Sequence, residues 1–188
     1  MAEELSNETI VTALSRLNDE LRKEDVHGEI CLFGGAVMVL AFHARPATRD
    51  VDAVFQPTGS FRRAALAVRE ELNLPESWLN DGVKGFVSPL GETTALGLPQ
   101  FSHLHVTRPT SAYLLAMKSL AARSPGPEGK GDRDDIVTLI RQLDLRDPQA
   151  VFAIVERFYP NQHILPKTEY LIREIFDELQ AQKSQGSR

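Results

Sequence analysis

The chain has 188 residues, of which 42% are hydrophobic and 25% charged, and Cys31 is its single cysteine. This composition is typical of a globular protein and excludes intrinsic disorder, a collagen-like structure and a disulfide scaffold. The net charge of -5 argues against a protein covered by nucleic acid, although a local basic groove is compatible with it.

The first residues, MAEELSNET, are acidic and polar, whereas a signal peptide is basic and then apolar. No apolar run approaches the roughly 18 residues that a membrane span requires. Together with the lone thiol, these features predict a cytoplasmic protein with no membrane partner.

The first 42 residues predict a helix, a strand, a glycine turn and a second helix. Apolar residues at helical spacing predict the first helix over residues 7–23, with Ser6 and Asn7 as candidate caps. The short apolar segment EICLF predicts a buried strand. Gly34 and Gly35 follow it at once, and the compact apolar run AVMVLAF then predicts a helix.

The remaining elements change in character near Arg108. Before it, RDVDAVF predicts a strand, and SFRRAALAVREEL predicts a helix that is capped by Ser60. Residues 75–80 predict a turn or short helix, and two further short strands are predicted in KGFVS and SHLHVT. After it, four helices are predicted, in SAYLLAMKSLAAR, DRDDIVTLIRQL, PQAVFAIVERFY and PKTEYLIREIFDELQAQ, with the loop SPGPEGKG after the first. This order predicts an α+β protein with a mixed core over residues 1–108 and a helical C-terminal lobe over residues 109–188.

Asp50 and Asp52 lie two positions apart on a predicted strand, so their carboxylates face the same side with Cα atoms about 6.6 Å apart. Two hard oxygen ligands suit Mg²⁺, which completes its coordination with water and substrate phosphates, and a bridging carboxylate can hold two such ions. The same pattern also occurs at strand ends and in solvated turns. The pair is therefore a candidate magnesium site, with a solvated turn as the alternative.

Gly34 and Gly35 separate a predicted strand from a predicted helix, a place where backbone amides favour a phosphate group. The alternative is a simple tight turn. The segment is not a P-loop, because no Gly-Lys-Ser or Gly-Lys-Thr follows, and two adjacent glycines do not make the dinucleotide-binding fingerprint.

Lys118 projects between Leu114 and Leu115 on a helical wheel, inside an apolar arc. A buried ammonium requires an anion, so either a carboxylate or a substrate phosphate is expected to meet it. The third alternative is that the side chain extends to the surface without a role.

Asp132, Asp134 and Asp135 open the next predicted helix. Asp132 as N-cap with Asp135 three residues later resembles a capping box, which would explain these acids without catalysis. A rigidly held cap aspartate can also serve catalysis. Cys31 and the five histidines show no spacing that favours a metal site or a nucleophile, and structural roles are predicted for them.

Two segments carry a family resemblance. FGGAVMVLAFHARPATRDVDAVF resembles the strand, Gly-Gly or Gly-Ser, helix, Asp-x-Asp signature of the polymerase-β-like nucleotidyltransferase superfamily. LLAMKSLAARSPGPEGKGDRDDIVTLI is similar to the second conserved block of the AbiEii and MenT-type nucleotidyltransferase toxins, and WLNDGVKGF is similar to a segment of uncharacterised bacterial relatives. The resemblance extends over roughly residues 30–140.

This resemblance implies a polymerase-β-like core, a short mixed sheet flanked by helices, followed by a helical lobe. It implies an enzyme that uses one or two Mg²⁺ ions to transfer a nucleoside monophosphate from an NTP to an acceptor. The implied site residues are Gly34 and Gly35 for the triphosphate, Asp50 and Asp52 for the ions, Lys118 for a nucleotide phosphate, and Asp132 as the later acid, with Asp135 as a competing match. Thr48 stands where some relatives carry a hydroxyl residue that can be modified.

In the toxin members the acceptor is the 3′ end of tRNA, and a cognate antitoxin neutralises the enzyme. The resemblance thus implies an NTP, tRNA and an antitoxin as partners. A small-molecule or protein acceptor, or a catalytically silent nucleotide-binding or partner-binding module of the same fold, remains open. For a polynucleotide acceptor, the candidate contacts are Arg45, Arg49, Arg62, Arg63, Lys84, Arg123, Lys130 and Arg133.

The sequence departs from the superfamily pattern at two points. The predicted strand SHLHVT carries no acid where polymerase-like relatives commonly have a third one, which leaves Asp132 as the possible substitute. Gly35 replaces the more usual serine, which removes one hydroxyl contact to phosphate.

Overall fold

The computed structural model describes residues 4–122 and 132–186. Contacts divide the chain into two compact units. The first consists of residues 1–87 and 93–109, and the second of residues 88–92 and 110–188. The predicted loop SPGPEGKG lies outside the described residues, as does Arg123.

The first unit combines strands and helices, and its class is α+β. Its described elements are β1 (Leu5–Ser6), α1 (Asn7–Lys23), β2 (Gly28–Leu32), α2 (Gly34–Leu40), β3 (Ala47–Thr48), β4 (Val51–Gln56), α3 (Thr58–Leu72), β5 (Leu79–Asn80), a 3₁₀ helix (Gly82–Phe86), β6 (Thr93–Thr94) and β7 (Leu104–Pro109).

Five of the strands described in this unit form a mixed sheet in the order β5-β4-β2-β7-β6. The central strand β2 is antiparallel to β4, with Leu32 opposite Ala53, and parallel to β7, with Cys31 opposite Thr107. β4 runs parallel to β5, so that Asp52 lies beside Asn80. The short strands β1 and β3 pair separately.

Alternation along the strands separates a core face from a less buried face. Ile30, Leu32, Val51, Ala53 and Val106 are buried in the core, and Phe55 of the same face stacks on Phe61 of α3, with ring centroids 5.0 Å apart. The residues between them on the central strands, Glu29, Cys31, Asp52, Val54, His105 and Thr107, are half-buried or exposed. The acid of β4 therefore points away from the apolar core, because successive side chains of a strand alternate between faces.

The second unit is helical in its described part, with α4 (Ser111–Ala121), α5 (Arg133–Gln142), α6 (Pro148–Phe158) and α7 (Pro166–Gly186). Helix α4 packs against α5 and α6, and α6 packs against α7. Tyr113 of α4 lies against Phe158 with ring centroids 5.0 Å apart, and its hydroxyl accepts a 2.7 Å hydrogen bond from the backbone N–H of Ser88.

Among the described residues, no helix has the length and apolar character needed to cross a membrane.

Several sequence predictions are confirmed. Helix α1 spans residues 7–23, and the Ser6 hydroxyl caps it by accepting from the N–H of Thr9. Strands and helices predicted around the glycine turn are present as β2, α2 and β4. Asp147 caps α6 by accepting from the N–H of Ala150, with Pro148 as the first helical residue.

Other predictions are wrong. Helix α3 begins at Thr58 after Pro57, so Ser60 lies inside it and accepts from Arg63 instead of capping the helix. KGFVS is not a strand: residues 82–86 form the 3₁₀ helix, because the N–H of Lys84 bonds locally to the carbonyl of Asp81. Residues 79–80 are the strand β5, and β1, β3 and β6 are too short to leave a periodic pattern.

Candidate functional site

Asp50 and Asp52 lie at the start of β4. Asp52 is the second residue of the strand, Asp50 directly precedes its first residue, and both side chains are half-buried. The backbone N–H of Phe33, the residue before the glycine turn, donates a 2.8 Å hydrogen bond to the carbonyl of Asp52. The pairing of β2 with β4 thus brings Asp52 to the turn, and Asp50 lies beside Asp52.

Gly34 leaves room for one of these carboxylates. Its φ angle of +58° is in the left-handed region that favours glycine, and a β-carbon at this position would lie 2.6 Å from Oδ2 of Asp52. At Gly35, a β-carbon would overlap Oγ1 of Thr48, a buried residue. Only backbone without side chains fits against the Asp52 carboxylate and the Thr48 hydroxyl.

Asn80 joins this cluster, although sequence reasoning did not select it. Its Nδ2 donates a 2.9 Å hydrogen bond to Oδ2 of Asp50, and its Oδ1 accepts from the N–H of Gly82 at 3.2 Å. The signal available in the sequence was the segment WLNDGVKGF, which contains Asn80 but carries no pattern that assigns chemistry to it.

The carboxylates of Asp50 and Asp52 are half-buried and lie close enough for their charges to interact. Burial raises the pKa of Asp50, and the negative charge of Asp52 raises it further. The hydrogen bond from Asn80 and the positive charge of Arg49 oppose this change in the pKa. The site therefore disfavours a second negative charge, and a cation placed between the carboxylates would relieve that repulsion.

The donor set limits the kind of metal site that the pair can form. Among residues 4–122 and 132–186, no group of three or more His, Cys, Asp or Glu side chains is placed to hold a metal ion. Two carboxylates beside an amide do not make a closed protein cage. They fit Mg²⁺, which is commonly bound by one or two carboxylates and takes its other ligands from water and phosphate.

Lys118 belongs to the second unit and pairs with two acids there. Its Nζ lies 2.8 Å from Oδ1 of Asp132 and 2.9 Å from Oδ2 of Asp135. The side chains of Lys118 and Asp135 are 11% and 1% exposed. The prediction that a carboxylate meets Lys118 is therefore confirmed. The prediction that its side chain extends to the surface is wrong.

The capping interpretation of Asp132 is also wrong. Asp132 occupies the N-cap position of α5, but its side chain makes no capping hydrogen bond there. Its backbone angles, φ -65° and ψ -5°, are helical, whereas a capping residue is usually extended. The carboxylate instead binds Lys118. A nucleotide contact of Lys118 and a catalytic role of Asp132 remain predictions.

Several cations predicted to contact a polynucleotide form local ion pairs. Arg63 pairs with Glu24, Arg133 with Glu178, and Arg62 and Lys84 with Asp81. Arg45 and Arg49 also have partners. Arg123 and Lys130 lie outside the described residues. The positive charge of these side chains is therefore partly balanced within each unit.

Among the described residues, Cys31 and the histidines belong to no group of three or more His, Cys, Asp or Glu side chains that could hold a metal ion. Burial raises the pKa of the Cys31 thiol to about 11, which keeps it protonated and unreactive at neutral pH. His27 and His103 stack with ring centroids 4.5 Å apart.

Comparison with protein-family models found no match. Comparisons with the curated proteins and with the solved structures likewise found no match.

We expect Asp50→Asn to stabilise the metal-free protein at pH 7. The pKa of Asp50 is higher in the folded chain than its usual value, so the folded state binds the proton more tightly than the unfolded state. The ionised carboxylate therefore lowers the stability of the folded chain. This loss is complete at a pH above the raised pKa of Asp50 and absent at a pH below its usual pKa. Differential scanning calorimetry should show Tm rising by about 1–3 °C at pH 7 and unchanged near pH 3. Asp177→Asn, at an exposed position, controls for the lost charge, and an equal rise there would contradict the explanation.

Gly34→Ala should destabilise the first unit and displace the Asp52 carboxylate. The left-handed backbone costs a residue with a β-carbon about 1–2 kcal/mol, and the close contact with Oδ2 adds to this. Urea unfolding measures the loss. Gly85→Ala is the control, because a β-carbon there meets nothing within 4 Å. Equal stability of Gly34→Ala and the wild type would show that the turn tolerates a side chain.

Lys118→Met should lower the free energy of unfolding by about 3–5 kcal/mol, because it leaves the buried Asp135 carboxylate without this cation. Chemical denaturation followed by circular dichroism measures the change. Adding Asp135→Asn to Lys118→Met should recover a substantial part of the loss, whereas Lys167→Met, at an exposed position, should have little effect. A stable Lys118→Met protein would argue that the ion pair is dispensable.

Proposed function

We propose that this chain is a Mg²⁺-dependent nucleotidyltransferase with a polymerase-β-like core, which transfers a nucleoside monophosphate from an NTP to the 3′ end of tRNA as the toxin of a toxin–antitoxin pair. The observation that carries the proposal is the pair Asp50 and Asp52 at the start of β4, with Oδ2 of Asp52 against Gly34. The α+β class of the first unit and its mixed sheet are compatible with this core.

In this proposal the carboxylates of Asp50 and Asp52 hold the ion. A bound Mg²⁺ would neutralise charge on the triphosphate and polarise its phosphorus–oxygen bonds. The protein's own side chains orient the site: the Asp52 carboxylate lies against a turn without side chains, and Asn80 holds one oxygen of Asp50. The proposal assigns the triphosphate to the backbone of Gly34 and Gly35, since the β-carbon positions of both residues are filled by the Asp52 carboxylate and the Thr48 hydroxyl.

The proposed transfer is a substitution at phosphorus. An acceptor hydroxyl oxygen forms a bond to the α-phosphorus of the NTP, and the bond from that phosphorus to the oxygen bridging to the β-phosphate breaks. The bond electrons stay with pyrophosphate, which leaves, and the hydroxyl proton passes to water. Such a reaction depends on positioning and charge neutralisation and requires no covalent intermediate with the protein.

The acceptor is the part of the proposal that rests most on the resemblance. The motif around Lys118 and Asp132 resembles toxins that modify tRNA, and an antitoxin partner follows from the same likeness. Cations that pair with neighbouring acids still contribute to phosphate contact when those pairs exchange partners, since exposed ion pairs are worth only about 0–1 kcal/mol.

Incubation of the protein with each α-³²P-labelled NTP, Mg²⁺ and total tRNA tests the function. We expect label in tRNA with wild-type protein and a loss of at least about 100-fold in Asp52→Asn, because an amide does not neutralise the ion. Asp177→Asn is the matched control and should retain full activity. Calorimetry should show both variants folded.

The same reaction separates the alternatives. Label in a protein or small molecule instead of tRNA would change the acceptor and retain the enzyme class. No label with any acceptor would favour a silent binding module, and full activity of Asp52→Asn would remove the metal site. Growth arrest on expression, relieved by Asp52→Asn, would support the toxin role.

A further inference from the structure

Asn80 is the polar side chain that connects the edge of the sheet to the acid pair. Strand β5, which contains it, has only two residues, but its neighbour Trp78 anchors the segment. The Trp78 ring is buried, its Nε1 donates to the carbonyl of Ala65 at 3.2 Å, and its own carbonyl accepts from the N–H of Val51 at 2.7 Å. The backbone at Asn80 is thus fixed relative to β4.

The side chain of Asn80 is fixed at both ends of its amide. Oδ1 accepts from the N–H of Gly82, and Nδ2 donates to Oδ2 of Asp50. A free amide group would rotate between its two orientations, but the Gly82 N–H selects the one that directs the NH₂ group to Asp50. The hydrogen bond in turn restricts rotation of the Asp50 carboxylate, which is half-buried and next to Asp52.

We propose that Asn80 is a positioning residue of the cation site: its amide holds Oδ2 of Asp50 and so leaves the other carboxylate oxygen oriented for a divalent cation shared with Asp52. This inference rests on the proposed function, because it concerns the same pair of acids. Hydrogen bonds to metal-binding carboxylates set the direction of the ligand lone pairs, and removing such a partner typically lowers metal affinity about 10- to 100-fold.

A purely structural role is the competing explanation, since Asn80 also closes the turn to Gly82. Asn80→Ser separates the two roles. A serine hydroxyl can accept from the N–H two residues later, as asparagine does in this turn, but it is too short to reach Asp50. The variant therefore keeps the turn, removes the contact with Asp50 and adds no charge.

The test is a titration of the full chain with Mn²⁺, a substitute for Mg²⁺ whose free form is measured by electron paramagnetic resonance. We expect Asn80→Ser to weaken Mn²⁺ binding by about 10- to 100-fold while Tm of the metal-free protein stays within about 3 °C of the wild type. Asn161→Ser, at an exposed position, is the control and should bind as the wild type does.

Three outcomes would overturn the inference, and they are distinguishable. Unchanged Mn²⁺ affinity in Asn80→Ser would overturn it alone and leave the proposed function standing. A large fall in Tm with unchanged affinity would assign Asn80 to the turn only. Absence of Mn²⁺ binding by the wild type, with or without NTP, would overturn the proposed function and this inference together.

Discussion

The antiparallel pairing of β2 with β4 is the constraint on which the candidate site depends. Its register sets Leu32 opposite Ala53, so the chain reaches the glycine turn beside Asp52. A shift by one residue would exchange the two faces of β4, turning Asp52 toward the core and Ala53 away from it. Burial of Val51, Ala53 and Phe55 therefore stabilises the same register that places the acids. The register that packs the core is therefore also the register that places the carboxylates.

Apolar packing also positions a third polar side chain, that of Asn80 at the edge of the sheet. Trp78 precedes a strand of two residues and contributes a large buried ring, a side-chain hydrogen bond to the carbonyl of Ala65 and a backbone hydrogen bond from Val51. Apolar burial at Trp78 thereby determines where the amide of Asn80 lies, two residues away. Because burial and the charge of Asp52 raise the pKa of Asp50, ionising this carboxyl group is less favourable in the folded chain than in the unfolded one.

Charge is organised differently in the second unit. One ammonium, that of Lys118, contacts two carboxylates, and the more buried of them, Asp135, is almost without solvent. An isolated carboxylate at such a depth costs several kcal/mol, so the lysine is a structural requirement of the helix pair α4 and α5 whatever else it binds.

Local patterns in the sequence determined much of the first unit and one feature of the second. Helix α1 with its Ser6 cap, the strand before Gly34, the strand of Asp52 and the burial of Lys118 all follow from spacing of two or 3.6 residues, because each depends on neighbours within one element. The position of Asp50 and Asp52 near the turn followed from a resemblance, and the register of β2 and β4 supplied its physical basis. Tertiary structure alone decided the partners of Lys118, the helical geometry of Asp132 and the recruitment of Asn80. Those contacts join residues 14 to 30 positions apart in the chain, and no periodic pattern records which distant groups a fold brings within hydrogen-bonding distance.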